Sequence, residues 1–211
     1  MTGGERRRHS RAVKFTLAIV AIILGYTWVL APVTPRATAH FATLAVLGLA
    51  AWRAARTGEW GLRRSELLPA IPGAMAFTVP AVAAIYLAGS LAGTLQDRES
   101  RWAELAFLVA WAGGQQFALQ TVLLREAQDS TSRRMGVGIA AVVFGVLHLP
   151  NPFLAPVTLL AALAWCWMYD RHPNWLPLAL SHALLTVAIL YFLDPRLTGR
   201  LRIGRAYLSL E

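Results

Sequence analysis

The stretch Trp102-Ala-Glu-Leu-Ala-Phe-Leu-Val-Ala-Trp-Ala-Gly-Gly-Gln-Gln-Phe-Ala-Leu-Gln-Thr-Val-Leu-Leu124 decides how this chain folds. It exceeds the roughly 20 apolar residues with which a helix crosses a bilayer. Its one acid, Glu104, stands near the start, at headgroup level. Its second half carries Gln115, Gln116 and Gln120. Polar side chains at membrane depth are costly and usually mark a site. Gln116 and Gln120, four apart, share a helix face.

The rest of the chain has the same character. It is 56% hydrophobic and only 15% charged, against about 25% charged in soluble domains. The fold expected is all-α: a polytopic transmembrane helical bundle of about seven spans, forming a single integral membrane domain over 1–211. A basic N-terminal tail, 1–14, precedes a first span at about 15–31. Ala37-Thr38-Ala39 resembles a signal-peptide cleavage site, but the apolar run before it is longer than a signal core of about 7 to 15 residues, so a retained helix is preferred. A second span, about 37–52, leads to a basic loop with Arg53, Arg56, Arg63 and Arg64. The third lies within 67–95, with Pro69, Pro72 and Pro80 expected to make its beginning irregular. Gly89-Ser-Leu-Ala-Gly93 reads as a small-residue stripe for close helix packing. After the fourth span comes a polar loop, Arg125 to Arg134, then a short fifth span ending at His148. Pro150-Asn151-Pro152 forces a turn. The sixth and seventh spans are about 153–169 and 175–193, joined by Asp170 to Asn174. A polar tail, 194–211, closes the chain.

The net charge is +9, but the arginines lie in connections and tails. They do not form the aromatic-interleaved basic face of a nucleic-acid binder, so no nucleic-acid partner is expected. With the N-terminus inside, the inner segments hold thirteen Lys and Arg and the outer ones seven, four of these in the tail. The positive-inside rule therefore puts the N-terminus in the cytoplasm. Trp28, Trp52, Trp102, Trp165, Trp167 and Trp175 fall near span ends, as an aromatic belt does. Cys166 is the only cysteine, so no intramolecular disulfide forms.

Two histidines stand with the glutamines: His148, in Phe144-Gly-Val-Leu-His148, and His182, in Trp175-Leu-Pro-Leu-Ala-Leu-Ser-His182. At about 1.5 Å rise per residue, Gln116 lies about 14 Å from Arg125, His148 about 21 Å from Arg134, and His182 about 12 Å from Asn174. All three depths fall in the middle of a bilayer. Phe144 and His148 share a helix face, as do His182 and Thr186. Any one such residue alone is more often a hydrogen-bonding contact between helices; three helices carrying them to similar depth favour a site. No Asp, Glu, Lys or Arg occupies the middle of a span, which argues against a proton-coupled transporter. His40 has no polar company and is read as structural.

At these residues the chain resembles the CPBP family, the CAAX proteases and bacteriocin-processing enzymes of the membrane. That family carries E-E-x-x-x-R on one helix, F-x-x-x-H on the next and H-x-x-x-N, or a similar polar residue, two helices later. This chain reads Gln115-Gln116-Phe-Ala-Leu-Gln120, Phe144-Gly-Val-Leu-His148 and His182-Ala-Leu-Leu-Thr186. The resemblance covers about 102–193, a CPBP-like core in the last four spans. It implies peptide-bond hydrolysis inside the membrane, with a glutamate activating water and two histidines completing the site or holding a metal. It also implies a multi-pass location in a bacterial cytoplasmic membrane, with lipid and a membrane peptide or protein as partners.

The chain departs from the family where the chemistry is hardest. A glutamine amide cannot act as a base, so neither Gln115 nor Gln116 takes the glutamate's role, and the motif arginine is Gln120. Losing both charges is coherent, because a buried arginine without its acid is an unpaired charge. The candidate catalytic residues are His148, His182, Gln115 and Gln116; Gln120, Phe144, Thr186 and Asn151 are candidates for substrate binding. Two histidines fall short of the three protein ligands usual for catalytic zinc; a divalent metal is disfavoured and no cofactor is expected. Three readings stand open: a divergent hydrolase with a histidine base, an inactive member binding a membrane peptide or protein, and a scaffold whose polar cluster joins helices.

Overall fold

The computed structural model describes residues 13–35, 37–97 and 102–209. Most of the basic N-terminal tail, Arg36, Arg98 and Arg101 lie outside the described residues. Among the described residues eight helices follow in order: α1 (Lys14–Leu30), α2 (Thr38–Thr57), α3 (Leu67–Ala92), α4 (Trp102–Ser130), α5 (Arg133–Val146), α6 (Leu154–Arg171), α7 (Leu176–Phe192) and a short α8 (Arg205–Leu208). The described residues contain no strand, only an isolated bridge between Leu62 and Asn174. Two helical stretches, Arg64–Ala92 and Trp102–Ser130, are long and apolar enough to cross a membrane; Lys14–Leu30 and Leu176–Phe192 are shorter apolar helices.

Local chemistry explains the helix ends. Gly58 and Gly93, at φ 74° and 65°, close α2 and α3 in the left-handed conformation that favours glycine. The Ser132 side chain accepts from the N–H of Met135 at the start of α5. Two asparagines in proline turns do the same elsewhere. Asn151 Oδ1 accepts from the N–H groups of Phe153 and Leu154 (3.0 and 2.9 Å), and Asn174 Oδ1 accepts from that of Leu176 (3.1 Å).

Several boundaries differ from the sequence reading. Pro72 and Pro80 lie inside one uninterrupted helix, entered through a single turn at Arg64–Glu66; interior prolines are tolerated where neighbouring groups satisfy the freed carbonyls. The segment from Arg125 is not loop: α4 continues to Ser130, so Gln116 lies about 21 Å from its end rather than 14 Å. Arg53 is not in a loop either, because α2 runs on to its glycine cap. Asp170 and Arg171 still belong to α6, and α5 ends at Val146, leaving His148 in the following turn. Trp165 is buried at 2% exposure and is a core residue, not part of an aromatic belt.

The chain forms two compact units. The first comprises Met1–Trp60, Phe117–Cys166 and Arg202–Glu211. At its charged end the start of α1, the end of α2 and the end of α4 meet. The buried Glu126 carboxylate accepts the N–H groups of Phe15 (3.3 Å) and Thr16 (2.7 Å), where α1 leaves its first donors unpaired. The buried Arg53 guanidinium lies 4.0 Å from Glu126, 3.8 Å from Asp129 and 2.9 Å from Glu59. The last residues fold back within this unit: the Gly204 N–H donates to Leu149 O (2.9 Å) and Asn151 Nδ2 to Arg202 O (3.0 Å).

The second unit comprises Gly61–Gln116 and Trp167–Leu201, and pairs α3 with α7. A Cβ at Gly89 would stand 1.9 Å from the carbonyl oxygen of Phe192, so only glycine permits this approach. Of the two glycines expected to pack helices, Gly89 does so and Gly93 serves as the cap. Thr78 donates to Ser181 Oγ (2.6 Å) and Thr94 to Phe192 O (2.9 Å) across the same pair.

Candidate functional site

The second unit holds Gln115, Gln116, His182 and Thr186. Gln116 is fully buried, and its Nε2 lies 3.4 Å from Nδ1 of His182, itself 9% exposed. The distance is long for a hydrogen bond, and an amide can only donate to an imidazole nitrogen that lacks a proton. The contact therefore favours the His182 tautomer with its proton on Nε2. Ser181, the preceding residue, is tied to α3 through Thr78, which fixes this part of α7. Thr186 donates to the backbone carbonyl of His182 (3.0 Å) and so bonds its own helix. Gln115 Oε1 is buried, and no donor among the described residues reaches it.

The first unit holds Gln120, Phe144, His148 and Asn151. Gln120 is fully buried in a wider π-helical turn, Leu119–Leu124, set into α4. Such turns are frequent at functional sites, and no residue pattern in the sequence signals this one. His148 is half-buried in the turn after α5, and its Nδ1 lies 2.7 Å from Phe144 O. A carbonyl only accepts, so Nδ1 carries the proton and Nε2 keeps its lone pair when the ring is neutral. The Phe144 ring, 5% exposed, lies 4.9 Å from the imidazole. The Asn151 amide, also fully buried, holds the start of α6 with its oxygen and the C-terminal segment with its nitrogen.

Residues 98–188 match the family model of the type II CAAX prenyl endopeptidases, Rce1-like. This segment is similar to that family. It takes in both histidines and all three glutamines and spans under half of the chain. Comparison with curated proteins and with solved structures yields no match. The Rce1-like family is one of membrane proteins, in keeping with the long apolar helices.

No three His, Cys, Asp or Glu side chains among the described residues are grouped to hold an ion, whereas catalytic zinc has three protein ligands.

Signals that sequence reasoning missed lie around this segment. Arg53 and Glu126, both expected in loops, are 4% and 3% exposed and organise the end of α4. Their spacing to the next Gly or Pro would have hinted that both helices run on past their apolar cores.

Proposed function

We propose that this chain is an intramembrane endopeptidase-type protein of the Rce1-like kind, divergent at the motif acids. It hydrolyses peptide bonds of membrane-embedded or membrane-proximal substrates with His148 as base. The observation that carries this reading is the bond from His148 Nδ1 to Phe144 O, which leaves Nε2 as a proton acceptor. In this mechanism Nε2 takes a proton from water as the water oxygen bonds to the scissile carbonyl carbon. Within the second unit, Gln116 orients His182, the other polar group of this reading. The carbon–nitrogen bond then breaks as His148 returns the proton to the departing amine. Gln120, Phe144 and Asn151 belong with His148 in the first unit, and Thr186 with His182 in the second. No cofactor is invoked.

The protein in this reading crosses a bacterial cytoplasmic membrane seven times, through α1 to α7, with its N-terminus inside. The distribution of Lys and Arg supports that orientation. The meeting of the α1 start with the α2 and α4 ends around Glu126 and Arg53 supports an even number of crossings between these three ends.

The test is cleavage of membrane peptides by the reconstituted protein and by its His148→Ala and His182→Ala variants. Cleavage by the native chain and its loss in both variants is expected. Equal residual cleavage in all three overturns the reading. A non-catalytic binder of a membrane peptide or protein is favoured by one feature, the buried Gln115 Oε1 that no described donor reaches, an acceptor suited to a peptide N–H. Peptide association without cleavage, weakened by Gln115→Leu, would decide for it.

A further inference from the structure

We propose that Arg53 is a positioning residue for the π-helical turn of α4, and thereby for Gln120. The proposal deepens the peptidase reading and rests on it for its functional meaning. Arg53 belongs to α2, far from this turn in sequence, yet its guanidinium is 4% exposed and donates to the carbonyl oxygen of Thr121, next to Gln120. A π turn replaces the usual i to i+4 bonding and leaves carbonyls poorly matched to donors of their own helix. An arginine is well suited to such an acceptor, because its charge strengthens the bond and its five donors serve several partners at once.

The partners fix where that charge sits. Glu59 binds the same terminal nitrogen at 2.9 Å, Asp129 lies 3.8 Å from the other, and Glu126 lies 4.0 Å from Nε. Glu126 is in turn bonded to the first amides of α1. The guanidinium is thus clamped between the end of α4 and the loop after α2. Where the resembling family carries an arginine on this helix, the chain has Gln120; here a guanidinium reaches the same turn from α2 and grips its backbone.

Hydrogen exchange in the full-length protein tests this without needing turnover. In Arg53→Gln, amides of Leu119–Leu124 should exchange about ten- to a hundredfold faster, the factor equivalent to one lost charge-assisted hydrogen bond. Amides of α5 and α7 should keep their rates. Arg53→Lys, which retains a charge but not the fork, should give an intermediate acceleration confined to the same turn. Unchanged exchange in the turn, or a uniform rise across all helices, overturns the proposal. Should Arg53→Gln not fold, the lysine variant decides by the same two outcomes. If the native chain cleaves no peptide while the local acceleration is seen, the peptidase reading fails and the positioning role stands.

Discussion

Nδ1 of His148 lies 2.7 Å from the carbonyl oxygen of Phe144, four residues back, and the two rings lie 4.9 Å apart. The bond uses a backbone acceptor, so it constrains the imidazole whatever side chain stands at position 144. Nitrogen-15 spectra of the labelled protein should show neutral His148 protonated on Nδ1 and bare on Nε2, in native protein and Phe144→Leu alike. A proton on Nε2 in the neutral form would remove the base from the proposed mechanism.

Gly89 and Gly48 should respond in opposite ways to alanine. At Gly89 the added carbon meets the backbone of Phe192 at 1.9 and 2.8 Å; at Gly48 nothing lies within 4 Å. Overpacking costs about 1–3 kcal/mol, so Gly89→Ala should lower the unfolding midpoint in detergent by several degrees. Gly48→Ala should be neutral or stabilising by up to about 1 kcal/mol, from helix propensity. Equal effects would contradict the close approach of α3 and α7.

Glu126→Gln should loosen α1. The carboxylate is 3% exposed and accepts two backbone donors at the start of that helix. Hydrogen bonds to a charged group contribute about 1.5–3 kcal/mol each, and the amide keeps only one acceptor oxygen and no charge. Thermal unfolding, with limited proteolysis near residues 13–20, should show both lower stability and faster cleavage. A midpoint unchanged from the native protein would show that Glu126 does not hold α1.

Gln116→Glu should destabilise the second unit. Gln116 is fully buried, and its Nε2 lies 3.4 Å from Nδ1 of His182. Removing a carboxylate from water costs several kcal/mol unless a cation meets it. Adding Gln120→Arg to this variant should recover part of the loss. Unchanged thermal stability of Gln116→Glu would count against a closed, neutral environment at that position.

Much of this architecture was legible in the residues. Length and hydropathy located a helix at each expected span among the described residues, two of them long and apolar enough to cross a membrane, and Asn151 and Asn174 fell in the proline turns where breaks were expected. Boundaries failed where polar residues continue a helix. Arg125 to Ser130 contains no glycine or proline to stop α4, and Glu126 has partners on α1 and α2 that composition cannot reveal. The prolines of α3 misled for the opposite reason: they break helices in water, but α3 is packed along α7 and carries them through.

For the candidate site the division is sharper. The sequence by itself determined which side chains are polar amid apolar surroundings, and that glutamines stand where the resemblance leads one to expect acids and an arginine. Those are properties of single positions and of short spacings along one helix. Only the tertiary structure decided that Gln116 meets His182 and that Arg53 grips the turn holding Gln120. Helix formation is written in local periodicity and caps. Hydrogen bonds between residues some seventy positions apart depend on how helices pack, and packing belongs to the whole chain.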